Sequence, residues 1–380
     1  MKTKIQELFK KMYGDGASFF ASPGRVNLIG EHTDYNLGFV LPGAIDKAIY
    51  VGVKPNDGQK CRIHSVDYDQ SIEMDLHGEK PAQQWARYIY GVVQEMEKRG
   101  ALIRPFDMTF GGDVPLGAGL SSSAALESAV GFALNTVYNL GFSREQLAKI
   151  GQMTEHNYVG VRCGIMDQFA SLFGDHGKVI RLDCRSLEYK LEPFDPTGCK
   201  VVLFDTQVKH SLASSEYNVR RAQCEAGVAV ILKHVGGIES LRDVTLEMLN
   251  TYKNEMDDVV YRRCSFVINE NQRVLDACDA LEKGDYATFG EKMNGSHDGL
   301  SKWYEVSCEE LDFLADLGHR NSGVLGARMM GGFGGCTINL VRDAAYADYL
   351  AEVTDKFTHR FGKAPRIIEV NISQGAHQIR

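Results

Sequence analysis

GRVNLIGEHTDYNLGFVLP, residues 24–42, decides how the rest of the chain is read. It sets one arginine, one histidine and two carboxylates among glycines and short apolar runs. Core segments are rarely so polar, and surface loops rarely carry Val26, Leu28, Ile29, Phe39, Val40 and Leu41. A segment that is both apolar and dense in hydrogen-bonding groups suits a small polar ligand. Apolar side chains anchor its backbone while fixed polar groups read the ligand. The competing reading is a strand–turn–strand hairpin with an ordinary charged turn.

Around this segment lie 380 residues, long for one hydrophobic core and suited to two domains. The chain is 44% hydrophobic and 24% charged, the composition of a soluble globular protein. Its net charge of -8, with no Lys/Arg-rich run, argues against a nucleic-acid surface. A negative chain can still bind an anion, because backbone dipoles and a bound cation can supply the local field. The nine cysteines are odd in number, scattered singly and without a CxxC pair. That indicates neither a disulfide framework nor a zinc site and points to free thiols in a reducing compartment. The start, with Ile5, Leu8, Phe9 and Met12 at helical spacing, predicts an amphipathic first helix and no signal peptide. No apolar run approaches a membrane span, so a cytoplasmic protein without membrane partners is expected.

Strands are predicted at 48–53, 60–64, 106–111 and 178–182, with helices over 82–99, 121–138, 144–158 and 165–172. LEPFDPTG, residues 191–198, places two prolines and a glycine ahead of the strand-like KVVLFDT. That punctuation divides the chain into domains 1–196 and 197–380. The second half holds a helical pattern over 215–234, with serine caps before it, and strand-like CTINLV and RIIEVNIS near the end. Strands and helices mixed in both halves predict an α+β protein of two lobes with a ligand cleft between them.

VPLGAGLSSSAAL, residues 114–126, feeds a glycine–serine loop into a helical pattern. Such a loop exposes unpaired N–H groups at the positive end of a helix dipole, an arrangement that binds phosphate. Ser121, Ser122 or Ser123 would add hydroxyl donors, and one of them could coordinate Mg²⁺. The loop has no lysine and is not Walker A, and Ser122 replaces the third glycine of GxGxxG. Asp167 falls in the first turn of a helix among Ile165, Met166, Phe169 and Ala170. A mostly buried carboxylate there needs a partner, and Arg25 is the candidate. A small ligand rich in hydroxyls needs fixed acceptors, which Glu31, His32 and Asp34 supply, with His32 a switchable donor.

These motifs resemble galactokinases, members of a small-molecule kinase superfamily that also holds homoserine, mevalonate and phosphomevalonate kinases. The resemblance extends over nearly the whole chain and includes the family's PxxxGLSSSAA loop. It implies an N-terminal ribosomal-protein-S5-like α/β lobe and a C-terminal ferredoxin-like α+β lobe, with the active site in the cleft. It implies a phosphotransferase that moves the ATP γ-phosphoryl to the anomeric hydroxyl of galactose, opening galactose catabolism. By that likeness Asp167 is the catalytic base and Arg25 the residue beside it, offsetting charge on the transferring phosphoryl. Glu31, His32, Thr33, Asp34, Gly164 and Tyr217 would hold the sugar. Gly117, Ala118, Gly119, Leu120, Ser121, Ser122, Ser123 and Ser65 would hold ATP, and Ser123 and Glu155 would hold Mg²⁺.

A third motif, GARMMGGFGGC at 326–336, is similar to the family's RMTGGGFGGC loop. It has one glycine fewer before Phe333 and Met330 where threonine is frequent. The expected partners are galactose and ATP, and the expected state is a monomer. Two rivals stand beside this reading: a sister kinase for N-acetylgalactosamine, and a non-catalytic galactose and ATP sensor.

Overall fold

Ile5 and Phe9, one turn apart, bury the inner face of α1 (Lys2–Tyr13) in the computed structural model, while Met12 remains exposed. The structure describes residues 1–115, 117–208 and 213–380, and the side chains of all of these except Ala213, Ser214 and Ser215. Leu116 of the phosphate loop and Ser211, one of the serines expected ahead of residue 215, therefore lie outside the described residues.

The first half supplies β1 (Ser18–Asn27), β2 (Phe39–Val40), β3 (Pro42–Pro55), β4 (Cys61–Ser65), β5 (Gln70–Met74) and α2 (Gln84–Glu97). After these come β6 (Phe106–Gly112), α3 (Ser122–Val137), α4 (Arg144–Thr154), α5 (Met166–Phe173), β7 (Lys178–Asp183) and β8 (Tyr189–Pro193). β1 was not among the expected strands. Its Pro23 and Gly24 look like loop residues, but they sit at a bulge where the register with β3 shifts between Pro23 and Arg25. Bulges re-aim side chains and tolerate such residues, and this one precedes the arginine of the site. The polar segment is thus strand, turn and strand, with Asn27 opposite Pro42.

The second half begins with β9 (Cys199–Asp205), beyond the turn that contains the 196/197 division. It continues through α6 (Ala213–Leu232), α7 (Leu246–Thr251), α8 (Asp258–Glu282), α9 (Tyr286–Gly299) and α10 (Glu309–Arg320). It ends with β10 (Val324–Met329), β11 (Cys336–Arg342), α11 (Tyr346–Phe361), β12 (Arg366–Val370) and β13 (His377–Ile379). The main sheets are a six-stranded one, ordered β13-β1-β3-β6-β4-β5, and a four-stranded one, ordered β10-β11-β9-β12. The chain's last strand returns to the first sheet and pairs with β1. A small β2-β7-β8 sheet completes the mixed α+β architecture.

The largest apolar core joins the six-stranded sheet and its helices to Val201 and Leu203 of β9 and to Val274 and Ala277 of α8. The two halves therefore share buried surface, and the cleft between them has a firm floor. Separate cores lie beneath α6 and α8, and between the four-stranded sheet and α10 with α11.

Candidate active site

A cavity of about 390 Å³ opens where the polar segment, the helix after the glycine–serine loop and the third glycine loop meet. Arg25, Glu31, His32, Asp34, Ser123, Glu155, Gly164, Asp167 and Tyr217, all singled out in the sequence, line it together. Gln84, Tyr88, Cys163, Gly331, Gly332 and Phe333 complete much of the wall. Thr33 does not line it. Its hydroxyl lies 3.0 Å from the Gly30 carbonyl and 2.6 Å from that of Phe39, and so closes the turn from behind. Ser65 is buried at the end of β4, accepts from the Tyr68 amide at 3.4 Å, and is also absent from the lining.

Arg25 joins three parts of the site. Its Nε donates to Asp167 Oδ1 at 2.8 Å and its Nη2 to Asp167 Oδ2 at 3.0 Å, a two-pronged ion pair. Its Nη1 donates to the Gly119 carbonyl at 2.6 Å and its amide to that of Leu120 at 3.2 Å, tying the phosphate loop to the same guanidinium. Burial works against the Arg25 charge, but Asp167 and Glu31 outweigh it and the pKa rises. The burial expected of Asp167 falls instead on its partner: the Arg25 side chain is 6% exposed and that of Asp167 32%, toward the cavity. The acid lies in the first turn of α5 as expected, and its Oδ2 also accepts from the Ser121 hydroxyl at 2.5 Å. That hydroxyl is thereby committed to Asp167, leaving the Ser121 backbone to serve an anion. Ser121 is held at φ 55°, a strained conformation of the kind found at functional sites.

The carboxylates of the polar segment are held from distant parts of the chain. Glu31 Oε2 accepts from Asn27 at 3.2 Å and is ion-paired with Arg328, whose Nη1 donates to the Asn27 carbonyl at 2.7 Å. Burial raises the Glu31 pKa, but Arg328 and Arg25 overcome it and the carboxyl titrates below its usual range. Asp34 is different: burial, with the Asp167 charge, pushes it up to about 7. Gly164 packs so closely that a Cβ there would sit 1.9 Å from Asp34 Oδ2, so only glycine fits.

His32 is a fixed element and not the switchable donor expected of it. Burial pushes its pKa down to about 4, so it is neutral at neutral pH. Its Nε2 meets the Gly331 carbonyl at 3.0 Å and must carry the proton, because a carbonyl only accepts. Nδ1 then accepts from the Tyr35 hydroxyl at 2.9 Å, and Tyr35 accepts from Tyr304 at 2.7 Å. Tyr217 packs its ring against those of His32 and Tyr35, at 5.2 and 5.0 Å between centroids, and burial holds its hydroxyl protonated.

On the phosphate side, no side chain caps α3, so its first-turn amides remain available to an anion. Glu155 was expected within a helix over 144–158. Instead α4 ends at Thr154 and Glu155 opens a π-helical turn through Val159, a feature frequent at functional sites. Burial pushes Glu155 up to about 7, against the pull of the Ser123 hydroxyl and with a contribution from Asp167. The third loop forms a wall of the site through Gly331, Gly332 and Phe333. Its Gly331 carbonyl fixes His32, and a Cβ on Gly335 would lie 3.2 Å from the Ala118 carbonyl. The shortened loop therefore meets both the polar segment and the phosphate loop.

Sequence reasoning missed Arg328, Tyr35, Tyr304, Gln84 and Tyr88. Gln84 and Tyr88 lie four apart on one face of α2, where helical spacing made them look like ordinary surface or core residues. Arg328 carried a signal, since it stands within the third glycine motif, near the end of an otherwise apolar strand.

The GHMP kinases N terminal domain matches residues 87–175, the GHMP kinases C terminal model 277–356, and the galactokinase galactose-binding signature 7–55. A galactokinase from Chloroflexus aggregans is 42% identical over 94% of this chain and 93% of its own. One from Thermotoga neapolitana is 40% identical over 94% and 99%. The chain belongs to the galactokinase family. A solved galactokinase from Lactococcus lactis, in complex with galactose, superposes with a TM-score of 0.95 at 33% identity, covering 99% of both chains. A mevalonate kinase from Methanococcus jannaschii, at 17% identity and a TM-score of 0.68 over 94% and 99%, shares the fold. The galactokinase signature spans every residue from Arg25 to Asp34, the stretch that forms the polar wall of the cavity.

Proposed function

We propose that this cavity transfers the γ-phosphoryl of ATP to the anomeric hydroxyl of galactose, giving galactose 1-phosphate. The observation that carries the reading is Asp167, exposed to the cavity and gripped by Arg25, which also holds the phosphate loop. Galactokinase relatives and the galactose-bound neighbour supply the sugar.

In this mechanism galactose lies against Glu31, Asp34, the Gly164 backbone and Tyr217, with the His32 ring shaping the wall. Asp167 accepts the anomeric hydroxyl proton, the oxygen so freed attacks the γ-phosphorus, and the bond from that phosphorus to the bridging β-phosphate oxygen breaks to release ADP. Arg25 stands beside both the base and the loop, so its positive charge offsets the charge gathering on the phosphoryl. Residues 117–123 hold the phosphates through backbone N–H groups at the positive end of α3. Ser65 would contribute at the nucleotide side from behind the lining.

Ser123 and Glu155 suit Mg²⁺. They present hard oxygens to one cavity, and the Glu155 carboxyl is buried with only a hydroxyl drawing it toward its charged form. Among the described residues no group of three or more His, Cys, Asp or Glu could hold a metal. When bound, the ion neutralises phosphate charge.

An ADP-release assay with galactose, N-acetylgalactosamine and glucose tests the proposal. Turnover strongest with galactose is expected. Preference for the N-acetyl sugar would make the protein a sister kinase. Binding without turnover would make it a sensor.

A further inference from the structure

Helix α8 belongs to the second half of the chain, yet two of its neighbouring residues grip opposite ends of the sugar-facing turn. Glu270 is fully buried, and its Oε1 accepts from the Gly30 amide at 3.0 Å and the Glu31 amide at 3.4 Å. The same oxygen accepts from the Ser296 hydroxyl of α9 at 2.6 Å, while Oε2 is ion-paired with Arg273. Asn271 Oδ1 accepts from the Phe39 amide at 2.9 Å. A Cβ on Gly38 would lie 2.2 Å from that oxygen, so backbone and amide are pressed together. Between these anchors lie Glu31, His32 and Asp34.

We propose that Glu270 and Asn271 are positioning residues for sugar recognition. They hold the ends of the turn so that its carboxylates meet the sugar at a fixed spacing. The physical reason is that Gly30, Glu31 and Phe39 would otherwise leave N–H groups buried without acceptors. A turn that relaxed to satisfy them elsewhere would displace Glu31 and Asp34 together. Neither residue lines the cavity, so neither touches substrate. The inference rests on the galactose reading above.

The test compares Glu270→Ala, Asn271→Leu and the conservative Asn271→Asp with wild type, by steady-state kinetics and by hydrogen exchange of peptides covering residues 30–39. Glu270→Ala and Asn271→Leu are expected to raise KM for galactose roughly tenfold or more, with KM for ATP within about twofold. Asn271→Asp, which keeps the acceptor, should stay close to wild type. Exchange should quicken in residues 30–39 in the first two variants and not in the phosphate loop. Should Glu270→Ala fail to fold, the Asn271 pair decides. A lowered Tm with both KM values unchanged, or both raised equally, overturns the proposal and leaves a structural role alone. Wild-type protein inactive on galactose instead overturns the reading beneath it, and the exchange data separate that outcome from failure of the clamp.

Discussion

The two loops that meet in the cavity are built in opposite ways. In the polar segment 24–42 every residue is buried except the half-buried Leu37 and Phe39, and Arg25, Glu31 and His32 each have fixed partners within the protein. In the phosphate loop 117–123 only Ala118 and Leu120 are buried, and no side chain caps the helix that follows. The difference suits the ligands proposed for the two loops. A sugar is told from its epimers by the direction of single hydroxyls, so the groups that read it must be held still. A triphosphate announces itself by charge, and open backbone N–H groups at a helix end suffice.

The largest effect should come where the loops join. Asp167→Asn keeps the shape of the pair with Arg25 but removes the base, and kcat should fall by roughly 10²–10⁴-fold while galactose binding is largely retained. If more than about a tenth of kcat survived, Asp167 would not be the base.

On the sugar side, glucose differs from galactose in one hydroxyl and leaves a fixed polar group unpaired. Its kcat/KM should be lower by at least about two orders of magnitude. Asp34→Ala should weaken galactose binding and narrow that ratio. Equal turnover of the two sugars by wild type would show that the polar segment is not the sugar reader.

The phosphate side should yield to metal before it yields to sugar. Ser123→Ala and Glu155→Ala should each raise the Mg²⁺ concentration for half-maximal rate roughly tenfold, equal to about 1.4 kcal/mol. Binding of galactose alone should not change. A metal dependence unaltered in both variants would remove their assignment.

The smallest effect is a proton. Asp34 sits near pKa 7 in the free protein, and sugar hydroxyls donating to it would favour its charged form and lower that value. Galactose binding should therefore release protons below about pH 7 and tighten as pH rises toward it. The stability sign is opposite: with the folded pKa above the unfolded one, sugar-free protein loses stability as pH rises from about 4 through 7. Calorimetry in buffers of different ionisation heat measures the release, and Asp34→Asn should abolish it.

The same contrast explains what was legible in the sequence. The polar segment is continuous, so Arg25, Glu31 and Asp34 could be read as one ligand-facing group, and the glycine–serine loop declared itself before α3. What holds them was not legible, because it comes from far along the chain. Arg328 lies 297 residues from Glu31, and Glu270 is 240 from Gly30. Glu270 looks ordinary in its own helix, and Arg328, though conspicuous in an apolar strand, shows its partner only on folding. β1 was hidden by Pro23 and Gly24, which a bulge accommodates. His32 titrates in the neutral range as a free residue, and only burial moves it out of that range.

Product analysis tests the central claim most directly. Wild-type protein incubated with ATP, Mg²⁺ and galactose should give, beside the signals of ADP and in step with them, one further new phosphorus signal in ³¹P NMR, coupled to the sugar's anomeric proton. Phosphate on any other hydroxyl, or ADP formed without a sugar phosphate, would contradict it.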